Sequence, residues 1–505
     1  MKLTYKNVIL SLVFVLFLFV LRANSFTAPF ERDEGEYAYS AMILRHGSLP
    51  YQNSFIQKPP LIIYTYFLSQ EIFDDTLWGP RLLAFVSILF TSYFIYKVVD
   101  KYFDTKASWV SVFIFAALVS SPINASLAAN TEIFMLLPII VFYWIYLKDG
   151  KDNINLYYFL AGTLSAAALF FKPICLYVLV LLYLLWTIRI YKKQVNKLVE
   201  FLLLNLVGFC TASFLFLAPF LGVLNYFWEE VVIFNAYYAK QWGFYLNFFW
   251  INLKAMWPSF WIVFSTFIMY LFINTKRKKE ILAILFLCLV AVFQTAIRHY
   301  YILLTPFLVI AVSQVLVFIS QKTFSGAKIT LLTTLFLFLF LWPVRIGFGL
   351  SPEKYGLWVY GSGNPFGESV IVSKKVREVT REEDLIFVAG SEPQIYYYTK
   401  RYSPTRFVIT YPFIIDTKVR SLYQVEAVTA ISKNPPKVIV YSTRDESGLW
   451  NNESPRDFIN YLDNLIDKSY RVGGAYVWDS YPGRWINNPS DNELNLASLI
   501  MYVKK

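Results

Sequence analysis

From Ala28 to Tyr39 the chain reads Ala-Pro-Phe-Glu-Arg-Asp-Glu-Gly-Glu-Tyr-Ala-Tyr, which sets four acids, Glu31, Asp33, Glu34 and Glu36, beside Arg32. Carboxylates gathered like this can exchange protons with a hydroxyl group. They can equally begin a helix: Asp33 fits a capping position, with Glu36 three residues on and a helix running to about Arg45. The two roles are compatible. Tyr39, Met42, Ile43 and His46 follow at i, i+3, i+4 and i+7, so the helix is expected to lie along a membrane surface with one face in lipid, which would hold Asp33 at headgroup depth. Further on, Gln57-Lys58-Pro59-Pro60-Leu61 fixes a cation on a proline-stiffened turn. The apolar stretch from there to Phe73 is short for a full span and reads as a second interfacial helix. Arg81, Glu132, Lys172 and the run Arg298-His299-Tyr300-Tyr301 stand at the mouths of apolar runs, where single charges often serve only as anchors. The Arg298 run carries more, because a cation, one of two histidines and a phenol meet at one helix start.

The elements that must position these groups belong to a membrane protein. The 505 residues are 57% hydrophobic and only 16% charged, with a mean hydropathy of +0.47, far from the balance of a water-soluble domain. Eleven apolar runs, at about 8–24, 80–98, 108–123, 131–147, 156–171, 173–190, 200–222, 253–273, 280–296, 299–319 and 328–346, read as helical spans. The first reads as a retained anchor, since an acidic segment follows it and a small-residue cleavage site is lacking. Lysine and arginine cluster in alternate loops, as at Lys97, Lys101 and Lys106, at Arg189, Lys192 and Lys197, and at Lys276, Arg277, Lys278 and Lys279. The positive-inside rule assigns those loops and the N-terminus to the cytoplasm. An odd number of spans then sets the tail, and the acidic first loop, on the extracytoplasmic side of a plasma (inner) membrane. The net charge of +12 is thereby accounted for by orientation, so nucleic acid is not an expected partner.

Residues 1–350 form the membrane part and 351–505 a small α/β domain. In the latter, Asp384–Ala389 and Lys437–Tyr441 read as buried strands, and Ser421–Ser432 and Pro455–Lys468 as helices. Gly361, Gly363 and Gly367 have the wrong spacing for a dinucleotide loop and read as a linker. The aromatic run Tyr396, Tyr397 and Tyr398 is expected to cover the outward cavity and to help choose the acceptor. The three cysteines lie inside apolar runs, as small hydrophobes.

The acidic Asp33-Glu34-Gly35-x-Tyr37, then Lys58-Pro59-Pro60-Leu61, Arg81-Leu82-Leu83, Lys172-Pro173 and His299-Tyr300-Tyr301-x-Leu303-x-x-Pro306 together resemble the protein O-mannosyltransferase and lipid A aminoarabinose transferase superfamily. These are GT-C glycosyltransferases. The resemblance implies a polytopic helical enzyme with about 11 spans and interfacial helices in the first outward loop. It would move a sugar from a polyprenyl-phosphate donor to an acceptor hydroxyl, with inversion. Asp33 and Glu34 would then be catalytic, with Asp33 as the general base, and Lys58, Arg81, Arg298, His299 and Tyr300 would bind the donor phosphate, supported by Glu36, Gln57, Glu132 and Lys172. The partners implied are the lipid-linked donor, membrane lipid, and a protein, lipid or polysaccharide acceptor. Bacterial aminoarabinose enzymes carry Glu, part of a metal site, where this chain has Gln57. A neutral amide is a poor ligand, so no cofactor is expected to be required, and a divalent metal stays an open alternative. Glu36 stands where those relatives can carry an arginine. A transporter or flippase, the rival class, would place its ionisable groups along a midplane path and show repeated halves. A non-catalytic scaffold would tolerate loss of the Asp33 charge.

Overall fold

A computed structural model of the protein describes residues 5–148, 154–193, 195–241, 246–293, 295, 297–323, 326–448 and 454–505. The apolar runs are helical because a segment in hydrocarbon must satisfy its own backbone donors and acceptors. In chain order the helices of the first part are α1 (Tyr5–Arg22), α2 (Arg32–Arg45), α3 (Leu61–Phe73), α4 (Trp78–Tyr102), α5 (Ala107–Val119), α6 (Thr131–Leu147), α7 (Ile154–Phe171), α8 (Leu176–Lys193), α9 (Leu198–Leu217), α10 (Leu224–Phe227), α11 (Asn235–Gln241), α12 (Leu246–Phe272), α13 (Lys278–Val292), α14 (Thr305–Thr323) and α15 (Gly326–Leu341). A π-helical segment, Trp228–Phe234, joins α10 to α11.

Eight helical stretches among the described residues are long and apolar enough to cross a membrane: Tyr5–Phe26, Trp78–Tyr102, Ile154–Phe171, Pro173–Lys192, Val195–Lys240, Asn247–Phe272, Arg298–Ser320 and Ala327–Gly349. The other three expected spans fold as the shorter α5, α6 and α13, of 13, 17 and 15 residues. α6 keeps the expected bounds, whereas the 108–123 run stops at Val119 and turns at Pro122.

The helices α7 and α9 approach closely because each has a glycine at the crossing. A Cβ on Gly162 would sit 2.0 Å from the Asn205 carbonyl oxygen, and one on Gly208 would sit 2.1 Å from that of Phe159. This small-residue contact fixes the end of α7, from which Lys172 projects.

The expected lipid-facing helix is instead buried within the protein. In α2 every residue from Glu34 to Ile43 is buried, and the Tyr39 ring packs at a tilt against Tyr396 of the tail, 5.1 Å between centres. A Cβ on Gly35 would lie 2.5 Å from the Gln394 backbone nitrogen, so the tail rests directly on this helix. Amphipathic spacing in the sequence is common to a helix lying on lipid and one lying under a domain. The tail decides between them.

The tail begins with α16 (Pro352–Tyr360), α17 (Phe366–Val379) and α18 (Gln394–Thr399). Gly361 ends α16 with φ at 79° and Gly367 lies inside α17, so the glycine string is a helix–helix turn rather than a free linker. A five-stranded sheet follows the order β1-β2-β5-β3-β4, with β1 (Ile386–Ala389), β2 (Val438–Ser442), β3 (Tyr470–Val477), β4 (Arg484–Ile486) and β5 (Ala497–Lys504). The pair β1/β2 is parallel and the remaining pairs are antiparallel. The strands and helices read from sequence fall on β1, β2 and the helices Arg420–Lys433 and Asp457–Ser469.

Candidate active site

The first loop sorts its own acids. Glu31, not Asp33, caps α2: its carboxylate accepts from the backbone N–H of Asp33 at 3.1 Å and of Glu34 at 3.2 Å, and Glu34 returns to the Glu31 N–H to close a capping box. The cap thus stands two residues before its expected position. Asp33 is left free of capping duty in the first turn, where the helix dipole favours a carboxylate. Its side chain is 23% exposed, and Oδ1 lies 4.0 Å from Lys58 Nζ. Tyr51 holds the Lys58 turn by donating its hydroxyl hydrogen to the Lys58 carbonyl at 3.0 Å. Burial works against the Lys58 charge, but the Asp33 and Glu36 carboxylates outweigh it and hold the ammonium above its ordinary range. Glu36 is buried beside them, and burial pushes its carboxyl up to about 8 against the pull of Lys58.

A second polar group faces the first. Lys172 pairs with Glu132 and lies 3.6 Å over the Tyr300 ring. His299 Nε2 stands 3.5 Å from the same Glu132 oxygen. Burial, opposed by Glu132, lowers the Lys172 ammonium below its ordinary value. Lys58, Lys172 and Tyr300 all line one cavity of about 600 Å³, together with Gln57, Asn235 and Tyr238. Apart from Thr295, the rest of its wall is apolar, including Leu169, Phe170, Ile174, Phe209 and Val232. Two ammonium groups and phenols at one end of a hydrocarbon-lined hollow suit an amphiphile with an anionic head.

Three expected site residues lie elsewhere. Glu34 and Arg81 form a buried fork, with Glu34 accepting from Arg81 Nε at 2.9 Å and Nη2 at 2.5 Å and from the Ala129 N–H at 2.8 Å. The remaining Arg81 hydrogens go to the carbonyls of Ser25, Ala28 and Pro29. This pair ties α2 to α4, and neither member is among the residues that line the cavity. Arg298 likewise donates to the carbonyls of Ile123 at 3.0 Å and Val359 at 3.1 Å, which staples the tail to the membrane part. Tyr396, Tyr397 and Tyr398 do not line the cavity either; the Tyr398 hydroxyl accepts from the Phe30 N–H at 2.7 Å and docks the tail on the first loop.

Sequence reading passed over Glu230 and Arg406. Glu230 accepts from the Ile56 N–H at 2.8 Å and from Arg406 at 2.6 Å, and the Phe55 N–H donates to the Arg406 carbonyl at 2.6 Å. Asn235 adds a bond to the Gln57 carbonyl at 2.7 Å. The turn carrying Lys58 is therefore gripped from both the π-helical segment and the tail. The available signal was Glu229-Glu230 interrupting a long apolar stretch. Among the described residues, no three or more His, Cys, Asp or Glu side chains gather to hold a metal ion. Gln57 Oε1 is buried beside the cavity without a hydrogen-bond partner, and one such neutral oxygen does not amount to a ligand set.

Residues 57–214 match the family model for dolichyl-phosphate-mannose-protein mannosyltransferase. Searching curated proteins gave no match. Among solved structures, the chain resembles ArnT from Cupriavidus metallidurans bound to undecaprenyl phosphate, with a TM-score of 0.61 and 12% identity over 99% of this chain and 98% of that one. The apo state of the same protein gives a TM-score of 0.62 and 12% identity over 98% and 97%. An Archaeoglobus fulgidus oligosaccharyltransferase tethered to an acceptor peptide gives 0.54 and 11% identity over 96% of this chain and 74% of that one. With the family-model match over residues 57–214 and these neighbours, the chain has the fold of the GT-C glycosyltransferase superfamily.

Proposed function

We propose that the protein is a membrane glycosyltransferase that moves a sugar from a polyprenyl-phosphate carrier to an acceptor hydroxyl on the extracytoplasmic side, with its N-terminus in the cytoplasm. The observation that carries this reading is the Asp33 carboxylate 4.0 Å from the Lys58 ammonium at the polar end of an apolar cavity. The carrier tail occupies the apolar wall and its phosphate meets Lys58, Lys172 and Tyr300. The acceptor oxygen forms a bond to the anomeric carbon as the bond from that carbon to the phosphate oxygen breaks. Asp33 takes the acceptor proton. The departing phosphate needs no proton, because the two lysines neutralise its charge. A single displacement of this kind inverts the anomeric centre.

The match to a dolichyl-phosphate-mannose-protein mannosyltransferase model and the fold of an ArnT that binds undecaprenyl phosphate support the donor class. Convergence of Asp33, Lys58 and Lys172 near one cavity supports transfer over transport along a path. The test is reconstitution with a synthetic polyprenyl-phosphate sugar and NMR of the product. Inverted configuration, lost in Asp33→Asn, is expected. Product with the donor's own configuration overturns the single displacement.

A further inference from the structure

A second cleft, in the tail, is unlike the first. It has a volume of about 350 Å³, within the range of about 300–1,000 Å³ usual for small-ligand sites. It lies between α16, α17 and the turn that follows β3. Its floor is aromatic: Trp478 stands 6.1 Å from Tyr476 and 6.2 Å from Tyr481, centre to centre. These rings are held in place rather than loosely collapsed. The Trp478 indole donates to Glu368 Oε1 at 2.9 Å and the Tyr476 hydroxyl donates to the Gly483 carbonyl at 2.7 Å. Tyr481 is 61% exposed, so a large ring is presented to a ligand rather than to the core. Glu353 and Lys354 stand on the rim with opposite charges.

Flat rings that offer an apolar face, beside carboxylate and amide groups that take hydroxyl hydrogens, match the alternating C–H faces and O–H edges of a pyranose. The mixed rim gives no net attraction for an ion. The position adds a second argument. The cleft includes Ser351, just past the membrane-length stretch ending at Gly349, so it lies beside the membrane part. It also includes Asn364, whose side-chain oxygen accepts from Arg32 at 3.2 Å, and Arg32 is the neighbour of Asp33. The cleft and the catalytic loop are thus joined through one hydrogen bond.

We propose that this cleft binds the saccharide portion of the acceptor, which makes the acceptor a glycan rather than a bare protein hydroxyl. This rests on the glycosyltransferase reading above, and the experiment separates the two. Full-length protein in nanodiscs is titrated with cellotetraose, maltotetraose and chitotetraose by saturation-transfer NMR. Saturable millimolar binding of at least one is expected, weakened about tenfold by Trp478→Ala and by Tyr481→Ala, each of which removes a stacking face. Tyr481 is the safer variant, since its ring is mostly in solvent. Release of polyprenyl phosphate from the lipid-linked donor is measured on the same samples, as the separate readout of the transferase reading. Absence of saturable binding, or binding that both variants leave intact, overturns the cleft even if Asp33→Asn abolishes donor release. Saccharide binding without any donor release leaves the cleft standing and sinks the transferase. Binding of an unmodified Ser/Thr peptide, with the same dependence on Tyr481, also overturns it. Repeating the titration in nanodiscs containing digalactosyldiacylglycerol separates two sources that both support the site: competition indicates a glycolipid headgroup, and its absence indicates a free or polymeric glycan.

Discussion

Asp33→Asn and Glu34→Gln make the same chemical change in adjacent residues, removal of one negative charge at nearly constant shape, in opposite surroundings. Glu34 is fully buried and receives two hydrogens from Arg81 and one from the Ala129 backbone. Glutamine leaves the Arg81 guanidinium, 3% exposed, without a counter-charge. Removing one partner of a buried ion pair costs about 3–5 kcal/mol, a large part of the about 5–15 kcal/mol by which folded domains are stable. Asp33 is partly exposed and meets its cation only at 4.0 Å. Asparagine should therefore leave stability nearly unchanged and remove the general base, slowing transfer by about 10²–10⁴-fold, or about 3–5 kcal/mol on the barrier. The assay pairs release of polyprenyl phosphate by purified protein with unfolding followed by tryptophan fluorescence. Glu34→Gln should melt early, and any fraction still folded should retain turnover. Asp33→Asn should melt like the parent and be nearly inactive. The reverse outcome, a stable but inactive Glu34→Gln beside an active Asp33→Asn, would show that the roles have been exchanged.

Lys58→Gln should weaken donor binding by about 10–100-fold through loss of a charge-assisted contact, read as a rise in the KM for donor with stability little altered. Glu36 has a carboxyl raised from 4.5 to about 8 by burial, so the folded protein holds this proton where the unfolded chain has lost it. Its stabilising share is full below about 4.5 and vanishes as pH rises through about 8; the unfolding temperature of Glu36→Gln should accordingly fall less than the parent's across that window. Arg406→Met removes the counter-charge of the fully buried Glu230 and should destabilise by about 3–5 kcal/mol, with unfolding temperature as the readout. An unchanged melting curve would mean that the tail is not held by this pair.

Much of the site could be read from local sequence. Asp33, Lys58, Glu132, Lys172, His299 and Tyr300 were picked out because polar groups at the ends of apolar runs are unusual, and the fold brings them near one cavity or into the pair behind it. What was not legible depends on partners remote in the chain. Arg81 looked like a phosphate ligand because nothing nearby in sequence announced that Glu34 and three carbonyls would consume its hydrogens. Capping went to Glu31 because its extended backbone, at φ −78° and ψ 175°, turns the carboxylate back over the helix start, a choice that composition does not express among four neighbouring acids. The strands β3 to β5 escaped notice because Gly473 and Gly474 interrupt the alternation in β3, and because β4 is three residues long and pairs only with β3.

The grip of Arg406 on Glu230, and of Arg32 on Glu392 at 3.1 Å, bears on how such enzymes could be recombined. Each ionic lock has one half in the tail and the other beside the Lys58 turn or Asp33. A chimera that imports a foreign tail would strand two interior charges unless their mates travel with it. Exchange of specificity between related enzymes should therefore succeed only as matched sets, with both loops of the membrane part carried along in the graft.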